Sequence, residues 1–133
     1  LIAEDSRPLA NVMRFNLERA GYDVALARDG NEALQLIEEE RFDLVVTDLR
    51  MPGGDGEQIC MRIRSRPDCA LLPIVVCSAK SLEVDMARFV MEFPIAGILS
   101  KPFSPIELVT ICKRAIRMAA RGQLDLPLAG SPE

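Results

Sequence analysis

Histidine and tryptophan are absent from the 133 residues, and the aromatic set is one Tyr and five Phe. Without an imidazole there is no Ser/His or Cys/His nucleophilic pair. Cys60, Cys69, Cys77 and Cys112 lack Cys-x-x-Cys spacing, and no His is available to complete a zinc set. They read as buried or half-buried thiols, since a domain of this length needs no disulfide framework. No apolar run approaches the roughly 20 residues that span a bilayer, and no charged-then-apolar signal segment opens the chain. A soluble, cytoplasmic protein is expected. With 16 Lys and Arg against 20 Asp and Glu, a net charge of -4 and no basic run, direct nucleic-acid binding is not expected. The partner should be a protein or a small molecule.

What is present is a large apolar fraction, 49% of the residues, enough for the core of one domain. The first residue is Leu, inside the first apolar run, so the sequence is expected to be a piece of a longer chain. The stretch Leu44-Val45-Val46-Thr47-Asp48 is an apolar run that stops at a carboxylate, followed by Leu49-Arg50-Met51-Pro52-Gly53-Gly54-Asp55-Gly56. A short apolar run bounded by turn residues reads as a strand buried on both faces. Asp48 then sits at its carboxyl end, where open α/β sheets hold their ligands.

The rest of the chain alternates in the same manner. Leu1-Ile2-Ala3 runs into Glu4-Asp5, and Ser6-Arg7-Pro8 supplies a cap and a first-turn proline. Leu9, Val12, Met13, Leu17 and Ala20 follow at helical spacing up to Gly21. A second strand near residues 24–27 leads to Asp29 and Glu32, which read as a capping box with Ala33, Leu34 and Ile37 as the inner stripe. A helix from about Asp55 to Arg66 is closed by Pro67. Pro73 to Cys77 makes a fourth strand ending at Ser78, and a looser helix is expected from Lys80 to Glu92. Ile95 to Leu99 forms the last strand before Ser100-Lys101-Pro102. Ser104, Pro105 and Glu107 then repeat cap, proline and capping box for a last helix ending near Arg121-Gly122. Five strands alternating with five helices imply an α/β fold, one doubly wound parallel sheet with helices on both faces. Residues 1–121 are taken as the domain and 122–133 as a C-terminal tail or linker.

In such a sheet Glu4, Asp5, Asp48, Ser78 and Lys101 all fall at strand ends that point the same way. Three converging carboxylates repel one another unless a cation neutralises them. Hard oxygen ligands with room for water suit Mg2+. One Asp48 oxygen is then free to attack phosphorus, with Lys101 as a point charge and Ser78 as a hydroxyl donor for phosphoryl oxygens.

Ala3-Glu4-Asp5-Ser6, Val46-Thr47-Asp48-Leu49-Arg50-Met51-Pro52, Gly56, Cys77-Ser78-Ala79 and Ser100-Lys101-Pro102-Phe103 together resemble the signature of response-regulator receiver domains of two-component systems, over about the first 120 residues. The resemblance implies a flavodoxin-like five-stranded sheet in order 2-1-3-4-5. It further implies phosphorylation of Asp48 from a phosphohistidine on a histidine kinase or histidine phosphotransfer protein, and Mg2+ on Glu4, Asp5, Asp48 and the Arg50 backbone carbonyl. Lys101 and Ser78 would contact the phosphoryl group, and the Lys101-Pro102 bond would be cis. The added charge would draw Ser78 inward and shift the surface that follows it.

Four departures from the family pattern stand out. Glu4 replaces the commoner Asp, Ser78 the commoner Thr, and Gly54 a usual apolar residue. Ile98 stands where many receivers place a Tyr or Phe that swings inward, so that reporter cannot operate here. Arg50 and Lys80 flank the site and are expected to shield the phosphoryl group from water. Glu83, Asp85 and Glu92 on one helix, against Lys113, Arg114, Arg117 and Arg121 on the last, would let two copies pair as a homodimer. Two rivals remain at this point. One is a receiver-like protein-binding module that is never phosphorylated. The other is an aspartate-nucleophile phosphatase, which usually carries a second Asp two residues on, where Arg50 stands.

Overall fold

The computed structural model describes residues 1–51, 56–79, 88, 91–92 and 94–122. Its elements run β1 (Ile2–Ala3), α1 (Arg7–Arg19), β2 (Leu26–Ala27), α2 (Gly30–Glu39), β3 (Val45–Asp48), α3 (Gly56–Ser65), β4 (Ile74–Ala79), β5 (Gly97–Lys101) and α4 (Pro105–Ala120). The helix expected over 80–92 falls mostly outside the described residues. So do Gly54, Lys80, Glu83 and Asp85, on which the loop, shielding and dimer expectations depend. All strand pairs are parallel and the sheet order is β2-β1-β3-β4-β5.

Alternation along the strands sends side chains into two cores. Val45, Ile74 and Val76 pack with Ala33 and Ile37 of α2 and with Ile59, Cys60 and Ile63 of α3. Val46, Val75 and Cys77 pack on the opposite face with Met13 and Leu17 of α1 and with Leu108, Ile111 and Cys112 of α4. Each fully buried aliphatic chain contributes about 1.5–3 kcal/mol relative to exposure. These runs therefore fix β3 and β4 at the centre of the sheet. All four cysteines are free, with Cys60, Cys77 and Cys112 buried and Cys69 half-buried. Burial pushes the thiols of Cys60 and Cys112 up to about 12.

The helix ends follow their capping residues. Ser6 caps α1 by accepting from Leu9 N, with proline in the first turn, and Gly21 after the helix has φ 102. Ser104 and Glu107 form the reciprocal capping box of α4 at 3.1 and 2.8 Å. Ser104→Ala is expected to cost about 1 kcal/mol, read as a lower urea midpoint at unchanged slope. At α2 the expected box is only half made. Asp29 accepts from Glu32 N at 2.8 Å, but Glu32 Oε1 accepts from Arg28 N at 2.8 Å, one residue early. Two strands also run further than their apolar runs suggest: β4 includes Ser78 and Ala79, and β5 includes Ser100 and Lys101. Ladder pairing of Ser78 with Ser100 and of Ala79 with Lys101 continues past the apolar residues.

Candidate functional site

The carboxyl ends of β1, β3, β4 and β5 bring Glu4, Asp5, Asp48, Ser78 and Lys101 to one edge of the sheet. Asp48 ends β3, in register with Cys77 of β4, and Leu49 N donates to Cys77 O at 2.9 Å, holding the chain straight beyond it. Glu4 is pinned from both sides. Its backbone N donates to Ala27 O at 3.0 Å, and its Oε2 accepts from Ser6 N at 3.0 Å.

Lys101 Nζ lies 3.1 Å from Asp48 Oδ2 and 3.2 Å from Glu4 Oε1. One ammonium thus bridges two carboxylates whose side chains are 12% and 2% exposed. Asp5 is exposed, yet it completes the set, because one carboxylate oxygen from each of Glu4, Asp5 and Asp48 lies within 4.8 Å of the others. Three hard oxygen donors so placed fit a divalent cation with open coordination positions for water.

The electrostatics show a site short of positive charge. Burial, then the neighbouring charge of Glu4, push the Asp48 carboxyl above its usual range, and Lys101 only partly counters them. For Lys101 burial acts to lower the pKa, and the pull of Asp48 and Glu4 more than reverses this, leaving it raised. A single lysine does not balance three acids.

The other expected residues are placed as follows. Ser78 is buried at 3% exposure, and its hydroxyl donates to Ala79 O at 3.1 Å, so it is not turned to Asp48 in this state. Arg50 lies on the loop after β3 with an exposed side chain. Lys101-Pro102 is cis, as the resemblance implied. Ile98 pairs with Val76 and is 42% exposed, an aliphatic side chain on the outer face of β5.

Gly56 has a steric reason for being glycine. A Cβ there would lie 2.7 Å from Asp48 O and 3.2 Å from Leu49 Cα, and Gly56 N donates to Leu49 O at 2.9 Å. Neither obstacle is a flexible side-chain end. Gly56→Ala is expected to cost about 2–3 kcal/mol, at the upper part of the overpacking range, and to displace the residue that carries the acid. Urea unfolding and cation titration of the variant check both effects.

The model of the response regulator receiver domain matches residues 1–113. The chain belongs to the receiver domain family. Among solved structures, this receiver domain is similar to a putative response regulator from Chloroflexus aurantiacus J-10-fl, with 34% identity, TM-score 0.80, and 87% of this chain and 94% of that chain covered. It is also similar to the receiver domain of a sensor histidine kinase from Pseudomonas aeruginosa PAO1, with 29% identity, TM-score 0.76 and coverage of 87% and 95%. That protein has a magnesium ion coordinated in its active site cleft. A third, the signal receiver domain of a signal transduction histidine kinase from Syntrophus aciditrophicus, matches at 26% identity and TM-score 0.79 over 96% and 94%. A receiver domain is a phosphoaccepting signalling domain rather than a general enzyme, and its only catalysis is its own phosphorylation and dephosphorylation.

Proposed function

We propose that Asp48 is the phosphoacceptor of this receiver domain and that it works with Mg2+ bound by Glu4, Asp5, Asp48 and the Arg50 carbonyl. The observation that carries this is the Lys101 ammonium shared between Asp48 and Glu4 beside the three-carboxylate set. Mg2+ is the natural choice for an all-oxygen site that keeps waters. The magnesium in the cleft of the Pseudomonas relative supports it. When bound, the ion neutralises charge on the acids and on the phosphoryl oxygens.

The donor is a phosphohistidine on a partner histidine kinase or histidine phosphotransfer protein. An Asp48 oxygen forms a bond to phosphorus as the phosphorus–nitrogen bond to the donor imidazole breaks. Lys101 exchanges its Asp48 contact for a phosphoryl oxygen. Ser78 leaves the Ala79 carbonyl and donates to another phosphoryl oxygen, pulling the end of β4 with it. Because Ile98 has no ring to swing, this movement of Ser78 is the signal. Arg50 and Lys80 restrict water at phosphorus, giving an aspartyl phosphate that outlasts seconds.

We take residues 1–121 as the receiver unit and 122–133 as a C-terminal tail or linker. Among the described residues no helix is long and apolar enough to cross a membrane, and we place the domain in the cytoplasm with its kinase. Incubation with Mg2+ and acetyl phosphate, followed by intact mass, tests the proposal. One added phosphate is expected on the wild type, none on Asp48→Ala and none with a chelator. A wild type that gains no phosphate overturns it.

A further inference from the structure

One cavity adjoins two of the site acids. It measures about 220 Å³ and opens beside Glu4 and Asp5, between the start of α1 and the turn from β2 into α2. Arg7, Arg28 and Glu32 share its wall with the two acids. Arg7 occupies the first position of α1, where the positive end of the helix dipole disfavours a cation. It is exposed, and among the described residues it makes no ion pair. Arg28 reaches Glu32 only at 3.8 Å, with the two side chains 71% and 39% exposed. Pairs of that kind contribute little to stability. Neither guanidinium holds the fold together, yet both residues line the same cavity as two of the three site acids.

We propose that Arg7 and Arg28 receive the anionic leaving group of a small acyl phosphate, and so set which small donors phosphorylate Asp48. The proposal rests on Asp48 being the acceptor. A guanidinium presents a planar fork of donors that matches a carboxylate. The cavity admits a small carboxylate and is below the ~300 Å³ at which pockets take larger organic ligands. With Glu4 and Asp5 neutralised by a divalent cation, the two guanidinium groups outweigh Glu32 and the space attracts anions. Arg7 is two residues from Asp5, at most ~7 Å along the backbone, comparable with the ~8 Å screening length of physiological salt.

In the transfer, an Asp48 oxygen bonds to phosphorus and the bond from phosphorus to the acyl oxygen breaks. The electron pair leaves on the carboxylate, and no proton is needed. Phosphoramidate provides the contrast, since its nitrogen departs as neutral ammonia and gives the arginines nothing to hold.

The test compares wild type with Arg7→Gln, Arg28→Gln and the double variant, with Mg2+, using acetyl phosphate and phosphoramidate in parallel. Rates are read by intact mass. The double variant is expected to lose about tenfold in rate with acetyl phosphate, within the range of electrostatic steering. It should lose less than about twofold with phosphoramidate, and about 1 M salt should shrink the acetyl phosphate difference. Independently of rate, titration of the Mg2+-loaded wild type with acetate should give saturable amide shifts at Arg7 and Arg28, absent in the double variant and with chloride. Equal losses with both donors, or no loss with either, overturn the proposal while Asp48 phosphorylation stands. A wild type phosphorylated by neither donor overturns the acceptor assignment as well.

Discussion

Replacing Lys101 by Met is expected to destabilise the metal-free receiver domain by about 2–3 kcal/mol and to make its stability strongly dependent on Mg2+. The ammonium bridges Asp48 at 3.1 Å and Glu4 at 3.2 Å. Removing one partner of a buried ion pair costs about 3–5 kcal/mol, because the remaining charge is left without compensation. Here Lys101 is 25% exposed, so water screens part of the loss and the lower figure applies. Met keeps the length and the apolar stem, which separates the lost charge from lost packing. Millimolar Mg2+ should restore more stability to the variant than it adds to the wild type, since the acids then gain the cation they lack. The raised pKa of Lys101 gives a further check. Its stabilisation is fully present below the unfolded value of about 10.4 and is lost as pH climbs through the higher folded value. Urea unfolding with chelator and with Mg2+ measures all of this. A loss below about 0.5 kcal/mol would show that the bridge contributes nothing.

Asp48→Asn should act in the opposite direction, stabilising the metal-free protein at neutral pH by about 1–2 kcal/mol, the scale of one buried group that lacks full compensation. Burial and Glu4 together outweigh Lys101 at Asp48, which is why its carboxyl is raised. A raised acid binds its proton more tightly folded than unfolded. Its ionisation therefore lowers stability as pH rises from the unfolded Asp value near 4 through the folded value, and the penalty is absent below that window. The difference between the Asn and wild-type stability curves should be near zero at about pH 3 and grow towards neutrality. Saturating Mg2+ should erase it, because the charge is then wanted. The same variant must fail to take up phosphate, so gain of stability and loss of function appear in one protein. If the Asn form is no more stable than wild type at pH 7 with chelator present, the three acids are not in electrostatic conflict.

The elements most legible in the sequence are those set by local chemistry. Ser6 with Pro8 and Ser104 with Glu107 mark helix starts because hydroxyl caps and first-turn prolines act within one turn. The apolar runs of β3 and β4 mark central strands because only a doubly covered strand hides side chains on both faces. The acids and the lysine are legible as strand-end residues once the sheet is recognised as parallel.

What was not legible depends on distant partners. The sequence marks Lys101 as a point charge for phosphoryl oxygens, whereas the structure pairs it with two acids, Asp48 and Glu4. The second contact, to Glu4, arises because β1 lies beside β3 and brings the two acids together. Gly56 was visible as a glycine, but its need for the absence of a Cβ appears only when α3 starts against the Asp48 carbonyl. Arg64 stands in the last turn of α3, and nothing in the sequence singles it out. In the structure it donates to Pro94 O, Ala70 O and Leu72 O at 2.7–3.2 Å, tying the end of α3 to the segment before β5. Three carbonyls without side-chain identity leave no mark in a sequence. The extension of β4 and β5 through Ser78 and Lys101 is hidden for the same reason, since ladder hydrogen bonds are blind to residue type.

The central claim is that phosphate is carried by Asp48 and by no other carboxylate. Borohydride reduction of the acetyl phosphate-treated, Mg2+-loaded protein converts an aspartyl phosphate into homoserine, which peptide sequencing by mass spectrometry locates. The account predicts homoserine at position 48 alone, dependent on Mg2+. Reduction at Asp5 or Asp55, or none in a protein that has gained phosphate, would contradict it.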